Sequence, residues 1–452
     1  MLQILFSFLL LSSLFSEQKI SSHTIDTQNE TLDYTVTVET GEISYTSYTK
    51  EGENRPITFA FNGGPGSSSV WLHLGCFGPR RILMPEEGQS SIPPYQLIDN
   101  SETILDLTDL VFIDPMGTGF SKASSKEDEK NFYSIKNDVE SVGKFIRDYL
   151  TKNQRWNSPK YIAGESYGAM RAAGLADYLH NEFGIYLNGL IMISAAIDYQ
   201  TFIFDNDNPV PYFIFLPSYA TTAWYHGKYR PDATVEEVAQ EARDFVYQTY
   251  APSLLCRKCF DAQSINETLS KITALPLEIV QKNYGRIDDD QFFFGLFAKE
   301  KKMVGRFDSR IIGFSDNIFQ DPSDIAIYGI FAGAFHDYLH KELGFQDSYT
   351  LVSFDINRKW DYWDYNRWGY PNLMGGLRRA LVTNPNMKVF FGCGYFDLAT
   401  PFAATEYCLD HLDVPNACIQ TEYYEGGHMY YTNPKARIKF KQDLIRFYEE
   451  NR

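Results

Sequence analysis

Along residues 31–40, TLDYTVTVET, apolar side chains fall on every second position, Leu32, Tyr34, Val36 and Val38. That is the period of a strand with one face buried and one in water. The next ten residues, GEISYTSYTK, read as its hairpin partner, and the residues before it as a polar leader. Two uninterrupted apolar runs follow, PITFAF at 56–61 and LVFIDP at 110–115, each running into glycine-rich sequence. Such runs predict strands buried on both faces that deliver loops to one edge of a sheet. Over 137–151 the period changes: Val139, Val142, Phe145, Ile146 and Leu150 recur at helical spacing. After a Ser-Pro break comes the strand candidate YIA at 161–163, then GESYG at 164–168, then the helix-favouring AMRAAGLADYLHNEFG. GLIMISAAI at 189–197 supplies a further core strand.

From about 200 to 375 the chain becomes aromatic and charged with helical patches, such as ATVEEVAQEARDFVYQTY at 233–250, and ends in the cluster WDYWDYNRWGYP at 360–371. This predicts a mostly helical cap inserted into the core, with the aromatic cluster either packing cap onto core or lining a cleft. The core resumes with MKVFFGCGYFD at 387–397 and IQTEYYEG at 419–426, and closes with a helix near 434–451. The expected fold class is α/β, a central mixed sheet flanked by helices and carrying this insertion.

At 452 residues, 44% hydrophobic and 16% aromatic, the chain has ample apolar surface for a large core and is not a disordered protein. A net charge of −17 and a pI near 5.0 oppose binding to nucleic acid or to an anionic membrane face. The N-terminal MLQILFSFLLLSSLFSEQK is apolar but short for a bilayer span. It is read as a signal peptide of residues 1–16, leaving 17–452 as the mature domain, with no membrane association after cleavage. The expected location is the secretory pathway, secreted or lysosomal/vacuolar. Sequons at Asn29 and Asn266 fit glycosylation there. Of the six cysteines, Cys256 and Cys259 lack a second pair at zinc spacing, so a disulfide is favoured over a metal site. Cys408 and Cys418 are candidates to close a short loop, while Cys76 and Cys393 are free or paired elsewhere. No metal and no cofactor are expected, and the sequence leaves a homodimer open.

A serine hydroxyl becomes a nucleophile only when a base takes its proton and an acid orients that base. Ser166 lies between two glycines after a strand, Asp397 follows FFGCGYF, and His428 follows paired glycines after another strand. Each residue alone has a structural alternative: a loop serine, a helix cap, a turn histidine. Together, on sheet-edge loops and in the order Ser, Asp, His, they match α/β-hydrolase catalysis. The loop NGGPGSSS at 62–69 is the natural oxyanion hole, because glycine amides approach a developing charge closely. It lacks the Gly-Lys-Ser/Thr of a phosphate loop.

NGGPGSSS at 62–69, FIDPMGTGFS at 112–121, GESYGAM at 164–170, GYFDLATP at 394–401 and GGHMYY at 426–431 together resemble the serine carboxypeptidases over most of the mature chain. The resemblance implies an α/β-hydrolase fold and release of single residues from peptide or protein C-termini at acidic pH. It implies Ser166 as nucleophile, Asp397 as orienting acid, His428 as general base, and the Gly64 and Tyr167 amides as oxyanion donors. Asn62, with Gly63 beside it, and Glu165 match positions that hold the substrate's terminal carboxylate. A protonated Glu165 can donate to that carboxylate, and burial near another carboxylate would raise its pKa. The family's second acid is replaced at LGCFGPRR by Cys76, so Arg80 and Arg81 become candidates for a direct contact, against a role as surface or loop-fixing arginines. Two alternatives use the same scaffold: an acyltransferase, which shares the first half-reaction of the triad, and a noncatalytic partner or chaperone, against which an intact triad argues.

Overall fold

The alternating and continuous apolar stretches assemble into one nine-stranded sheet in a computed structural model that describes residues 17–27, 30–85, 92–315, 321–364 and 369–451. The leader at 1–16 and the Asn29 sequon lie outside the described residues. The strands are β1 (Gln18–Asp26), β2 (Thr31–Glu39), β3 (Ser44–Thr49), β4 (Ile57–Phe61), β5 (Asp109–Asp114), β6 (Lys160–Glu165), β7 (Gly189–Ile193), β8 (Lys388–Gly394) and β9 (Ile419–Tyr424). Their spatial order is β1-β2-β3-β5-β4-β6-β7-β8-β9. β1, β2 and β3 pair antiparallel, as does β3 with β5; all later neighbours are parallel.

The difference between the two halves follows from their sequences. β2 has the expected alternation, with Leu32, Tyr34, Val36 and Val38 buried. β4, β5, β6 and β7 are buried at every position, as strands covered on both faces must be. The residues expected as a polar leader form strand β1, in full register with β2 from Gln18↔Glu39 to Asp26↔Thr31. Only Ile25 of β1 is buried. An edge strand is held by its hydrogen-bond ladder, so it carries little apolar periodicity.

The longer helices are α1 (Ile135–Lys152), α2 (Tyr167–Phe183), α3 (Leu216–Tyr225), α4 (Val235–Phe245), α5 (Ala262–Thr273), α6 (Pro322–Lys341), α7 (Met374–Thr383), α8 (Phe402–Asp410) and α9 (Pro434–Glu450), of which α1, α2, α6, α7 and α9 cover the two faces of the sheet. α1 starts at Ser134, whose side chain caps Asn137 N, and buries Val139, Val142, Ile146 and Leu150. With α2 and α7 it packs on Phe59, Ile113, Ile162 and Met192 of one sheet face. On the other face α6 and α9 bring Phe331, Phe335, Phe440 and Phe447 against Tyr48, Phe112 and Ile191. Each such side chain contributes about 1.5–3 kcal/mol on burial.

Between β7 and β8, α4 begins with a capping box of Thr234 and Glu237. With α3, α5 and their neighbours it forms a separate apolar cluster, in which Tyr219, Val238, Leu269 and Phe292 pack against Tyr395, Phe396 and Leu398 after β8. In the aromatic stretch, Trp360 packs edge-on against Tyr167 at 5.5 Å and Tyr362 against Tyr199 at 5.2 Å; residues 365–368 lie outside the described residues. No helix among the described residues is long and apolar enough to cross a membrane.

Candidate active site

Parallel pairing puts the C-terminal ends of β4, β6, β7, β8 and β9 on one edge of the sheet, where Phe61 is level with Gly164 and Gly392 with Ile193. β4 has β5 on one side and β6 on the other. The chain therefore reverses its winding direction there, leaving a crevice between the loops that leave β4 and β6. NGGPG leaves β4 and Ser166 leaves β6.

Ser166 sits at φ 61° and ψ −127° between β6 and α2, a conformation that a residue with a side chain occupies only when its surroundings enforce it. Three hydrogen bonds do so: Ser166 N donates to the Ile193 carbonyl (3.0 Å), while Ala169 N (2.9 Å) and Ala196 N (3.2 Å) donate to the Ser166 carbonyl. The flanking glycines are a packing requirement. A Cβ on Gly164 would lie 2.2 Å from the Gly168 carbonyl oxygen, and one on Gly63 would lie 2.5 Å from Tyr167 N. Gly63 thus presses the 62–69 loop against the start of α2, beside the Tyr167 amide, and Gly64 follows at φ 105°, a region open to glycine. The loop is anchored by buried Asp114, which accepts from Ser69 N (3.0 Å), Ser69 Oγ (2.9 Å) and Tyr349 OH (2.8 Å). The start of α2 is anchored by the buried pair Arg171 Nε to Asp138 (2.8 Å), with Tyr167 OH on the same carboxylate (3.0 Å) and Arg171 Nη1 on the Asn62 carbonyl (2.8 Å).

Asp397 is fully buried after β8, and its Oδ2 is 2.8 Å from His428 Nδ1. Ala399 N (2.8 Å) and Thr400 N (2.9 Å) donate to Oδ1, and Thr400 Oγ1 (2.7 Å) donates to Oδ2. With every oxygen bonded, the carboxylate fixes the imidazole tautomer that carries its proton on Nδ1 and leaves Nε2 to accept. His428 is itself held on both sides: its N–H donates to the Phe307 carbonyl (2.6 Å), and Ser194 Oγ donates to its carbonyl (2.7 Å). Burial disfavours the imidazolium, but the charge and hydrogen bond of Asp397, with the charge of Glu165, outweigh it and raise the pKa.

Glu165 is buried at the end of β6. Its pKa is pushed up to about 7, first by burial; the charge of His428 and the hydrogen bond from Tyr431 OH (2.5 Å) oppose the rise, and the charge of Asp397 adds to it. Asn62 accepts from Leu72 N through Oδ1 (3.1 Å). Its buried Nδ2 lies beside Glu165 and completes no full hydrogen bond, so it is a donor available to a ligand oxygen. Cys76 is buried near Glu165, and burial holds its thiol neutral. The structure thus joins Glu165, Asn62 and Cys76 in one place.

Arg80 and Arg81 do not belong to this group. Arg80 pairs with Glu342 (2.9 Å) and Asp99. Arg81 lies 3.7 Å from Glu102, which Arg437 also binds (3.1 Å). Both arginines fix loops, because acidic neighbours closer in the fold take their charge. The cysteines divide similarly. Cys256 and Cys259 form a disulfide, but Cys408 and Cys418 are separate buried thiols, as are Cys76 and Cys393. Cys408 is buried beside Asp198, whereas Cys418 packs in the core beneath the sheet next to the Pro385 carbonyl. No group of three metal-binding side chains occurs among the described residues. Sequence reasoning missed Thr400, Ser194, Tyr431 and Phe307. Tyr431 stands in the GGHMYY block, so its position was a signal; the others act through folded contacts that no local pattern announces.

The sequence matches the family model described as serine carboxypeptidase over residues 43–429. It is similar to the pheromone-processing carboxypeptidase kex1 of Schizosaccharomyces pombe, 27% identical over 39% of this chain and 36% of that one. It is also similar to serine carboxypeptidase-like 34 of Arabidopsis thaliana, 26% identical over 47% and 39%. The matched stretches thus span under half the length of these relatives. Among solved structures, a proline iminopeptidase-related protein of Thermus thermophilus aligns over 96% of this chain and 99% of its own, with 13% identity and a TM-score of 0.41. With a six-stranded parallel run behind a strained serine turn, the sheet is that of an α/β-hydrolase, and the family match over most of its length establishes that the chain belongs to the serine carboxypeptidase family.

Proposed function

We propose that this protein is a serine carboxypeptidase that removes single residues from peptide or protein C-termini through an acyl-enzyme on Ser166. The observation that carries the reading is the buried 2.8 Å bond from His428 to a fully hydrogen-bonded Asp397, on the same sheet edge as the strained Ser166 turn. In this mechanism His428 Nε2 takes the Ser166 proton as Oγ attacks the last peptide carbonyl. The Gly64 and Tyr167 amides receive the oxyanion, and His428 returns the proton to the departing amine. Water, activated by the same imidazole, then releases the acyl group. The free terminal carboxylate is held by Asn62 Nδ2 and by Glu165 in its protonated form.

That last requirement couples the two titrating groups. Ionised Glu165 raises the His428 pKa, and protonated His428 lowers that of Glu165. With one proton between them, the arrangement that works is neutral imidazole with neutral carboxyl. An incoming substrate carboxylate favours it, since like charge disfavours ionised Glu165. Peptide binding therefore helps to prepare the base.

The leader sequence and the Cys256–Cys259 disulfide favour a secretory, secreted or lysosomal/vacuolar setting, whose oxidising entry route permits such a bond. The test is a time course of a defined peptide followed by mass. Sequential loss of C-terminal residues supports the reading, and internal cuts refute it. Transfer of an acyl group to an alcohol with no hydrolysis would instead identify an acyltransferase, and failure of Ser166 to react with an organophosphate would identify a noncatalytic member.

A further inference from the structure

Residues 305–309 form a strap across the catalytic pair. The Arg306 carbonyl accepts from Leu398 N (3.0 Å), the residue after Asp397, and the Phe307 carbonyl accepts from His428 N (2.6 Å). From the other side, Arg306 N and Phe307 N donate to the Asp321 carboxylate at 3.0 and 3.2 Å. The strap backbone is therefore fixed. The Phe307 ring lies 5.3 Å from the His428 ring, and the Arg306 guanidinium lies over that Phe307 ring at 5.3 Å. Arg306 is exposed, and its side chain forms no ion pair or hydrogen bond among the described residues.

Its acidic neighbours do not neutralise it. Asp321 is occupied by the two strap amides, and Asp308 is gripped by Arg310 at 2.7 and 2.9 Å. Asp289 feels the Arg306 charge but lies beyond ion-pair distance. The same charge reaches His428, Tyr199 and Tyr362, and at His428 it opposes the imidazolium that catalysis must form. An unpaired cation beside the general base handicaps the reaction unless a substrate anion neutralises it.

The position indicates which part of the substrate that would be. Glu165 ends β6 and Asn62 follows β4 on one side of it, with Tyr431 OH on the Glu165 carboxyl (2.5 Å), where the terminal residue's carboxylate belongs. Tyr199 follows β7, on the other side of β6, three residues after Ala196, whose N donates to the Ser166 carbonyl (3.2 Å), and its ring is 5.2 Å from Tyr362. That side receives the residue whose carbonyl is attacked.

We propose that Arg306, together with Tyr199 and Tyr362, forms a subsite that selects an acidic side chain, glutamate or aspartate, in the residue preceding the C-terminal one. The inference rests on the carboxypeptidase reading for its catalytic consequence. The test compares N-blocked dipeptides ending in phenylalanine with glutamate, glutamine or lysine before it, at pH 5.5, on the wild-type protein, Arg306→Gln and Arg306→Glu. The ratio of kcat/KM for the glutamate over the glutamine peptide should be about tenfold or more in the wild type. It should fall close to one in Arg306→Gln, and Arg306→Glu should favour lysine. Any general effect of the variant on His428 cancels in these ratios. A second arm measures binding of N-acetylglutamate and N-acetylglutamine by calorimetry, which needs no turnover. A glutamate preference lost in Arg306→Gln supports the subsite even if no peptide is cleaved, an outcome that would sink only the carboxypeptidase reading. Equal ratios in wild type and Arg306→Gln overturn the subsite.

Discussion

At the residue scale, the site depends on three side chains held in states they would not adopt in water. Ser166 occupies a strained turn, His428 is tied to a buried carboxylate, and Glu165 is buried at the end of a strand. Ser166→Ala should lower kcat by about 10⁴ to 10⁶ while leaving the fold and the Asp397–His428 bond intact; steady-state assays with circular dichroism check both. Glu165 gives a pH signature of definite sign. Its folded pKa, about 7, exceeds the ordinary 4.5, so peptide KM should rise as pH climbs through about 7 and the carboxyl ionises. In Glu165→Gln that rise should be absent; a KM-against-pH curve of unchanged shape would remove Glu165 from carboxylate binding. The same group affects stability. Because the folded pKa is raised, its contribution is fully present below 4.5 and is lost as pH rises through about 7, by up to about 3 kcal/mol. Urea unfolding at pH 4.5 and pH 8 should therefore differ less in Glu165→Gln than in the wild type.

At the element scale, the turn between β6 and α2 works because strand and helix approach closer than side chains allow. Gly164→Ala would force its Cβ to within 2.2 Å of the Gly168 carbonyl, moving a backbone rather than a flexible side chain. It should cost about 1–3 kcal/mol and most of the activity, seen as a lower Tm together with a lower kcat. The local sequence announced this element well, since a buried strand, Gly-x-Ser-x-Gly and an alanine-rich helix each follow from short-range rules. It announced β1 poorly. The side chains of Gln18–Asp26 are mostly in water, and what orders them is the ladder to β2, which no pattern within the segment encodes. For Arg80 and Arg81 it left two alternatives open, and the loop-fixing one holds for a related reason: Glu342 and Glu102, their partners, lie in other segments of the chain.

At the scale of the whole molecule, burial controls the cysteines as it controls Glu165. Cys76, Cys393, Cys408 and Cys418 are buried thiols, with Cys393 pushed up to about 12 by burial. A neutral, enclosed thiol is a poor nucleophile. An alkylating reagent should thus label none of the four in the native protein and all four after unfolding without reductant, while Cys256 and Cys259 stay protected as a disulfide. Labelling of two rather than four unfolded thiols would show a second disulfide and overturn the assignment of Cys408 and Cys418. The charge of −17 acts at the same scale: self-repulsion fades near the pI of about 5.0, so the range that protonates Glu165 is also the one in which the surface approaches neutrality.

The sequence by itself determined the succession of core strands and helices and the serine turn, and it singled out Ser166, Asp397 and His428 as candidates, because each lies in a short stretch whose period or glycine spacing has local physical meaning; Asn62 and Glu165 were singled out by the resemblance to the serine carboxypeptidases. Only the tertiary structure decided which charges meet: that Tyr431 bonds Glu165, that Thr400 completes Asp397, that Arg80 and Arg81 pair with other acids, and that Arg306, near His428, has no ion-pair partner among the described residues. Hydrogen bonds and ion pairs form between groups a few ångströms apart in space, and for most of these residues that distance is set by the sheet order rather than by separation along the chain.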